Sequence, residues 1–315
     1  MFGRPLLHII SHNTHIHFMR GRFIGLATSA FLSIASIILF FHPGLTLGLD
    51  FRGGIVVEAK TQGPADIPKI RHALMQENIP AAGLQNFGSD SDILIRLDAP
   101  KENNTEAMQS LVDSVKHVVS TAQAGTQIVR ADAVGASVSS ELFRNGLLAL
   151  GISLLMIMLY IWFRFEWEFA LSAIITLLLD LTKTIGFLVI TRFEFDLVMV
   201  AALLTILGYS TNDKVVVYDR VRENLRKYRS MPIQELIDLS INETLSRTLA
   251  TSATVFLASL PLALFGGVSL SGFAWVMLFG IVVGTSSSIF IAAPLLLFME
   301  EGRLRKKTKV TPKKL

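Results

Sequence analysis

The sequence contains six apolar segments, each long enough to cross a lipid bilayer as an α-helix. The hydrocarbon core of a bilayer is about 30 Å thick, so a helix of about 20 apolar residues spans it. The first segment has no charged residue between Ile24 and Phe41. The predicted spans are residues 24–42, 145–163, 169–190, 197–217, 248–268 and 272–299. This pattern predicts a multi-pass α-helical membrane protein with six transmembrane helices.

The amino-acid composition agrees with this fold class. Hydrophobic residues make up 51% of the chain and charged residues 17%, whereas an ordinary soluble domain has about 25% charged residues. The absence of cysteine excludes a disulfide framework, a thiolate metal site and a cysteine nucleophile. The sequence also has no P-loop, nucleophile elbow or zinc-helix motif. We therefore expect no enzyme activity, no cofactor and no metal site.

Residues 43–144 form a long polar segment between the first and second predicted spans. Pro, Asp, Asn and Gln accumulate there, which is typical of a separate soluble domain. The predicted strands are Gly54 to Lys60, Asp92 to Leu97 and Thr126 to Ala131, and the predicted helices are Ala65 to Glu77 and Thr105 to Thr121. The order β-α-β-α-β indicates a small α+β domain of the ferredoxin-like, split βαβ kind.

The positions of Lys and Arg predict how the chain is oriented in the membrane. Basic residues are concentrated in the amino-terminal segment 1–23, the loop 218–247 and the tail 300–315. On the opposite side, Arg192 is the one basic residue of the short loops. The positive-inside rule then places both termini in the cytoplasm and exports the 43–144 domain, to the periplasm if the cell is a bacterium. We expect the basic tail to meet anionic membrane lipid rather than nucleic acid.

Ionisable residues interrupt the third and fourth predicted spans. Asp180 and Lys183 lie in the third span, and Asp213 and Lys214 lie in the fourth. A charge near the centre of a bilayer costs a few kcal/mol, so each of these side chains should face a partner or water. They are therefore candidates for function.

In the third span, Asp180 and Lys183 are three residues apart and can pair across one helical turn. Thr176 and Thr184 extend the same polar face. The spacing favours a structural ion pair that allows the helix to insert, while a role in ion transfer stays open.

The fourth span contains a polar segment, Gly208 to Lys214, in an otherwise apolar helix. Helical periodicity places five residues on one face, namely Thr205, Gly208, Tyr209, Asn212 and Asp213. Small and polar residues on one face of a spanning helix indicate a contact with another helix. Lys214 lies about 100° away from Asp213, and we expect its long side chain to extend to the cytoplasmic interface.

The fifth span begins with hydroxyl side chains around an arginine. The residues predicted to lie along one stripe are Thr244, Arg247, Thr248, Thr251 and Thr254. Arg247 enters to about the same depth as Asp213, so we expect these two side chains to form an ion pair. A carboxylate, an arginine and a stripe of hydroxyls are the parts that a proton relay needs. Two alternatives stay open, in which Arg247 is an interfacial anchor or the pair is static.

Five motifs in order along the chain resemble the SecF family of bacterial protein-export membrane proteins. These motifs are Ile16 to Arg20, Gly48 to Gly54, Val134 to Leu142, Gly208 to Asn224, and Thr244 to Thr248. The resemblance runs through nearly the whole chain. It implies half of a transporter of the RND superfamily, located in the bacterial inner membrane. The implied partners are SecD, the SecYEG channel, an unfolded preprotein and, as a further candidate, YajC.

The same resemblance implies that the proton gradient promotes late steps of preprotein translocation. Asp213 matches the transmembrane acid of the family, Arg247 matches its nearby arginine, and Asp180 falls where the family commonly has aspartate. Lys183 and Lys214 do not belong to the family pattern. The candidate relay residues are Asp213, Arg247, Asp180, Asn212, Thr248 and Thr251.

Two other functions stay open at this point. One is a stand-alone proton-driven exporter of small molecules from the same superfamily, although roughly 100 exported residues leave little room for a substrate cavity. The other is a non-catalytic assembly scaffold, which would tolerate the loss of Asp213 and Arg247. The residues also leave open whether the coupling ion is a proton or sodium.

Overall fold

The computed structural model describes residues 15–79, 81–87, 89–98 and 105–299. The first part of the chain contains a short 3-10 turn (Phe18–Gly21), α1 (Arg22–Phe41), α2 (Leu49–Arg52), β1 (Gly54–Lys60), α3 (Ile67–Gln76), β2 (Ala81–Phe87), β3 (Ser89–Leu97), α4 (Thr105–Ala122) and β4 (Gln127–Val134). The second part contains α5 (Ala136–Arg164), α6 (Trp167–Thr191), α7 (Leu197–Lys227), α8 (Ile233–Phe265) and α9 (Gly267–Ser287), and a π-helical turn (Ser288–Ala292) follows α9. The predicted basic tail 300–315 and residues 1–14 of the predicted segment 1–23 lie outside the described residues.

The strands form an antiparallel sheet with the order β2-β3-β1-β4. Helices α3 and α4 cover one face, because alternate residues of β1 and β3 are apolar and pack against them. The buried members of this core include Ile55, Val57, Ile93, Ile95, Ile70, Leu74, Val112 and Val115. The small antiparallel sheet therefore has a hydrophobic core of its own.

The sequence prediction missed strand β2. Its sequence, Ala-Ala-Gly-Leu-Gln-Asn-Phe, is poor in β-branched residues, so the local signal for a strand is weak. Ala81–Phe87 is a strand because it pairs with β3 along an antiparallel register. The observed order is therefore β-α-β-β-α-β rather than β-α-β-α-β.

Five helical segments of the described chain are long and apolar enough to cross a bilayer. They are Phe18–Phe41, Ala136–Arg164, Trp167–Thr191, Ile233–Phe265 and Leu270–Met299. Helix α7 does not meet the same criterion, because the polar segment 208–214 interrupts its apolar stretch. The protein is thus a helical membrane protein with five apolar spanning candidates.

Helix α7 nevertheless packs among the other long helices. It contacts α5, α6, α8 and α9. Its buried apolar residues include Leu203, Ile206 and Leu207, which pack with Leu177 of α6 and Val276 of α9. Because α7 touches four neighbours, its polar side chains can meet groups from several helices.

The segment 218–247, which the sequence predicts to connect the fourth and fifth spans, is almost entirely helical. Helix α7 continues to Lys227, and α8 begins at Ile233. Tyr218 and Val221 of α7 pack with Ile237 and Ile241 of α8 in a buried apolar cluster. This contact between the two helices favours continuation of each helix past the predicted end of its span.

Candidate functional site

A buried cluster of charges surrounds Asp180 of α6. The carboxylate of Asp180 is 1% exposed, and its Oδ1 accepts a hydrogen bond from Lys183 Nζ at 3.2 Å. Its Oδ2 accepts a hydrogen bond from Lys214 Nζ of α7 at 3.0 Å. The predicted pair of Asp180 and Lys183 is therefore confirmed, and Lys214 is a second cationic partner.

Hydroxyl groups complete this cluster. Ser287 Oγ donates to Asp180 Oδ2 at 2.6 Å, and Ser210 Oγ donates to the same oxygen at 3.0 Å. Lys214 Nζ donates to Ser287 Oγ at 3.3 Å. Helices α6, α7 and α9 thus meet at one carboxylate. We call Asp180, Lys183, Lys214, Ser210 and Ser287 the Asp180 cluster.

The prediction that Lys214 extends to the interface was wrong. Its side chain is fully buried, at 0% exposure. Asp180 supplies a counter-charge inside the bundle, and the helix continues about three more turns beyond Lys214 to Lys227. Because a carboxylate and two hydroxyls accept its hydrogen bonds inside the bundle, the Lys214 ammonium does not extend to the lipid headgroups.

The threonines predicted to extend this polar face are buried but stay outside the cluster. Thr176 Oγ1 donates to the backbone oxygen of Ser172 at 2.7 Å, and Thr184 Oγ1 donates to the backbone oxygen of Asp180 at 2.9 Å. Both hydroxyls are therefore satisfied within α6 and add no charge or ligand to the carboxylate.

A second cluster surrounds Asp213, one residue before Lys214. Asp213 is 1% exposed, and its Oδ2 accepts a hydrogen bond from Thr285 Oγ1 at 3.4 Å. Thr285 and Ser252 share a hydrogen bond of 2.7 Å, and Tyr209 Oη donates to Ser252 Oγ at 2.8 Å. A chain of hydroxyls therefore connects α7, α8 and α9 to the acid. We call Asp213, Thr285, Ser252 and Tyr209 the Asp213 cluster.

The predicted ion pair between Asp213 and Arg247 is absent from this structure. Within the described part of the chain, no Lys or Arg forms an ion pair with Asp213. Arg247 is exposed on the surface of α8. Its neighbours Thr244 and Thr248 are buried, because they lie on the face of α8 that packs inward and Arg247 lies about 100° from Thr248.

The predicted hydroxyl stripe of α8 therefore divides between two faces. Thr244 and Thr248 point inward, and Thr254 is exposed with Arg247. Thr251 lies at the boundary, where its Oγ1 donates to the backbone oxygen of Thr248 at 2.9 Å. Thr248 Oγ1 is buried and has no hydrogen-bond partner among the residues that the structure describes. This unpaired hydroxyl lies one turn before Ser252 of the Asp213 cluster.

Most of the predicted polar face of α7 is exposed on the outside of the bundle. Thr205, Gly208 and Asn212 are exposed, whereas Tyr209 is half-buried and Asp213 is buried. Helices α7 and α8 pack against each other, and each has exposed polar residues. We call Thr205, Gly208, Asn212, Arg247 and Thr254 the open polar face.

Several residues of the two clusters were missed by the sequence analysis. They are Ser210, Tyr209 as a hydrogen-bond donor, Ser252, Thr285 and Ser287. A visible signal was the run Thr285 to Ser288, which places four hydroxyl residues inside the last apolar segment. The π-helical turn begins at the end of this run, and such turns often occur at functional sites. The described residues contain no group of His, Asp and Glu that could hold a metal ion.

The start of α7 is hydrogen-bonded to the segment that leads into the sheet domain. Gly48 N donates to Phe195 O at 2.8 Å, and Phe195 N donates to Thr46 O at 2.7 Å. Leu197 N donates to Asp50 Oδ2 at 3.0 Å. A Cβ at position 48 would lie 3.0 Å from Asp196 Cβ and 3.3 Å from Phe195 O, so glycine favours this close approach.

Charged residues strengthen this connection. We call it the domain–α7 contact and define it as Thr46 to Asp50, Arg96 and Glu194 to Leu197. Arg96 of β3 forms an ion pair with Glu194 in the turn before α7. Asp196 caps α7 by accepting a hydrogen bond from Met199 N at 2.9 Å. Burial and the neighbouring Asp50 raise the pKa of Asp196, against the lowering effect of the Met199 N–H. The sheet domain is thus joined directly to the helix that carries Asp213.

Comparison with known proteins places the chain in a family. Residues 114–302 match the family described as "Protein export membrane protein SecD/SecF, C-terminal", and residues 38–65 match the "SecD/SecF GG Motif". The chain belongs to the SecD/SecF family. The domain–α7 contact includes Gly48, which lies within the matched GG-motif segment of this family.

Relatives with similar length carry the name of one subunit of this family. "Protein translocase subunit SecF" of Rickettsia bellii (strain OSU 85-389) is 41% identical over 304 residues, covering 95% of this chain and 98% of the relative. The subunit of the same name from Rickettsia prowazekii (strain Madrid E) is 40% identical over 302 residues, covering 96% of both chains.

A solved structure of this family has the same fold. SecDF from Thermus thermophilus, described as a translocon-associated membrane protein, is 30% identical and superposes with a TM-score of 0.80. The match covers 93% of this chain and 40% of the SecDF chain. SecDF in a "Super-membrane-facing form" superposes with a TM-score of 0.69 at the same identity.

Proposed function

We propose that this chain is a SecF-type subunit of the Sec protein-export machinery, which works with SecD to promote late steps of preprotein translocation across the bacterial inner membrane. The observation that carries the proposal is the 41% identity to SecF over 95% of the chain. This chain matches only 40% of the SecDF chain to which it is similar. The remaining part of SecDF supports a partner subunit for this chain. In this role the chain is a transport subunit rather than an enzyme.

The arrangement in the membrane is part of this proposal. Helix α7 is the sixth span, since it packs against four of the apolar helices and its charges are paired or capped by hydroxyls inside the bundle. Both termini then lie in the cytoplasm, and the domain between α1 and α5 is periplasmic. Its strand order β2-β3-β1-β4 with two helices on one face supports the ferredoxin-like type.

SecD covers the open polar face. In a bilayer, an exposed arginine and asparagine on spanning helices need a protein or water partner, because lipid offers none. The open polar face includes Asn212 of α7 and Arg247 of α8, and both residues are exposed. A partner with similar spans would bury both residues and complete the site. This agrees with the lack of an ion pair for Arg247 among the described residues.

The proton motive force drives the pair through Asp213. This acid is buried without an ion-pair partner in the described part of the chain, and the hydroxyls of Thr285, Ser252 and Tyr209 connect it toward the boundary at Thr251. We assign the relay to Asp213, Arg247, Asn212, Thr248 and Thr251. Arg247 reaches the acid when SecD is bound, and protonation of Asp213 releases it.

Asp180 contributes to the relay by holding Lys214 in place. Lys214 follows Asp213 on α7, so the Asp180 cluster fixes the rotation of the helix that carries the proton acceptor. Asp180 itself is paired with two ammonium groups, those of Lys183 and Lys214.

Movement of α7 reaches the periplasm through the domain–α7 contact. The backbone pairing at Phe195 and the ion pair of Arg96 with Glu194 attach the sheet domain to the first residues of α7. One charge that crosses a potential of 100 mV supplies about 2.3 kcal/mol, which is enough to favour one of two domain positions. The domain can then act on an unfolded preprotein that leaves the SecYEG channel, with YajC as an accessory partner.

The test is the variant Asp213→Asn, compared in native membranes with Asp90→Asn, an exposed acid of the sheet domain. We expect Asp213→Asn to assemble with SecD and to lose the stimulation of preprotein export by the proton gradient. Asp90→Asn should retain both properties. Full stimulation in Asp213→Asn, or a failure to copurify with SecD in the unmodified protein, would favour the scaffold or the small-molecule exporter instead.

A further inference from the structure

A charged cleft lies where α5 ends and the second half of α7 passes beside it. The cleft has a volume of about 580 Å³. Its lining residues are Arg164, Asp219, Arg222, Glu223, Arg226 and Lys227. It lies outside both polar clusters of the bundle and outside the open polar face.

The carboxylates of the cleft are already paired with other groups. Asp219 forms an ion pair with Arg164 at 3.0 Å. Glu223 accepts a hydrogen bond from Arg220 Nη1 at 2.6 Å, and Arg220 lies outside the cleft. Because both carboxylates of the cleft are paired with other residues, three of its cations have no carboxylate partner in the described part of the chain. These are Arg222, Arg226 and Lys227.

Arg222 is held in position rather than free. Its Nη1 donates a hydrogen bond to the backbone oxygen of Arg164 at 3.2 Å, at the end of α5. A guanidinium has five N–H donors, so this contact leaves donors directed to the cleft. Arg226 and Lys227 are exposed beside it. The cleft thus presents three cationic donors, one of which, Arg222, is held in position, and its lining has a net positive charge.

The surroundings of the cleft are those of a membrane surface. The last turn of α5 and the first residue of α6 expose large aromatic side chains: Trp162 is 57% exposed, Phe163 98% and Trp167 58%. Tryptophan and other amphipathic rings are enriched at the level of lipid headgroups. Above them, Met156 and Leu159 of α5 are also exposed along the apolar helix. An acyl chain could lie along this surface while its headgroup reaches the cleft.

We propose that this cleft binds the phosphate of an anionic phospholipid such as phosphatidylglycerol. Arg222 and Arg226 donate hydrogen bonds to the phosphate oxygens, and Lys227 adds a positive charge near them. The exposed rings and the apolar side of α5 hold the acyl chains. Charge complementarity and the aromatic rim together select an anionic lipid over a zwitterionic one. The site anchors the end of α7 to the membrane surface.

The experiment uses the full chain copurified with SecD in phosphatidylcholine nanodiscs that contain a photoreactive phosphatidylglycerol. We compare the unmodified protein with Arg222→Gln/Arg226→Gln and with Arg229→Gln/Lys69→Gln. The control removes the same charge from two exposed residues outside the cleft. Because Arg222 also contacts the end of α5, Arg226→Gln alone provides a variant without a structural contact to lose.

In the unmodified protein and the control, we expect labelling of peptides that contain Trp162 to Arg164 or Arg222 to Lys227. The double variant should bind the lipid about 30-fold more weakly, which corresponds to about 1 kcal/mol for each of two cations. Arg226→Gln alone should show about a fivefold loss. Unlabelled phosphatidylglycerol should compete, and phosphatidylcholine should not.

Three outcomes would overturn the proposal. Equal labelling of the double variant and the unmodified protein would exclude these arginines as the site. Displacement of the lipid by millimolar inorganic phosphate would indicate a site for free anions. Cross-links from Phe163 replaced by a photoreactive residue to a SecD segment, with no lipid adduct, would indicate a protein interface.

Discussion

Lys214 Nζ lies 3.0 Å from Asp180 Oδ2, deep in the helix bundle and one residue beyond Asp213. Asp180 and Asp213 therefore have different surroundings. Asp180 accepts hydrogen bonds from two ammonium groups, whereas Asp213 accepts a hydrogen bond from the hydroxyl of Thr285. An acid in ion pairs with two cations suits a structural role, whereas the acid without an ion pair in the described part of the chain is the one we assign to the relay.

Asp180→Asn should destabilise the bundle more than Lys214→Met. The first change leaves two buried ammonium groups without a carboxylate, which typically costs about 3–5 kcal/mol. The second leaves Asp180 paired with Lys183, so the cluster becomes formally neutral. Thermal unfolding of the purified chain in detergent measures both effects. Equal losses, or a larger loss for Lys214→Met, would contradict the assignment of Asp180 as the centre of the cluster.

Ser287→Ala tests the contact of α9 with the same carboxylate. The hydroxyl of Ser287 donates to Asp180 at 2.6 Å, and a hydrogen bond to a charged group contributes about 1.5–3 kcal/mol. Ser286→Ala is the matched control, because Ser286 is exposed and bonds to the backbone of its own helix. We expect a clear fall in the unfolding temperature for Ser287→Ala and almost none for the control. The same fall in both variants would show a helix-propensity effect instead.

Arg247→Ala should reduce activity without reducing the stability of the fold. Arg247 is exposed, so its removal should change the free energy of unfolding of the isolated chain by less than about 0.5 kcal/mol. In the complex with SecD, the same variant should lose the stimulation of export by the proton gradient. Arg229→Ala, which removes an exposed arginine after α7, should retain it. An unaffected export rate in Arg247→Ala would remove this residue from the relay.

Arg96 and Glu194 provide a charge-exchange test of the domain–α7 contact. Both side chains are about a third exposed, and surface ion pairs contribute about 0–1 kcal/mol, so Arg96→Glu alone should leave the fold stable. We expect it to reduce proton-dependent export, since the sheet domain loses an attachment to α7. The double variant Arg96→Glu/Glu194→Arg should restore export. If the double variant is no better than the single one, the ion pair does not transmit the movement of α7.

The differences between prediction and structure share a physical cause. Strand β2 has a weak local pattern and forms because β3 offers a partner. Helices α7 and α8 extend through most of the connection 218–247, where Tyr218 and Ile237 lie in one buried apolar cluster. Each of these features depends on residues that are distant in the chain, and a local hydrophobic pattern does not contain that information.

The sequence by itself determined the apolar segments, the separate polar domain and the family, because hydropathy, composition and motifs are properties of local chain segments. It also located Asp180, Lys183 and Asp213 as polar residues within apolar helices. Only the tertiary structure decided that Lys214 turns inward to Asp180, that Arg247 turns outward, and that Glu194 meets Arg96. The rotation of each helix about its axis decides which charges meet, and that rotation is set by packing against all the neighbouring helices together.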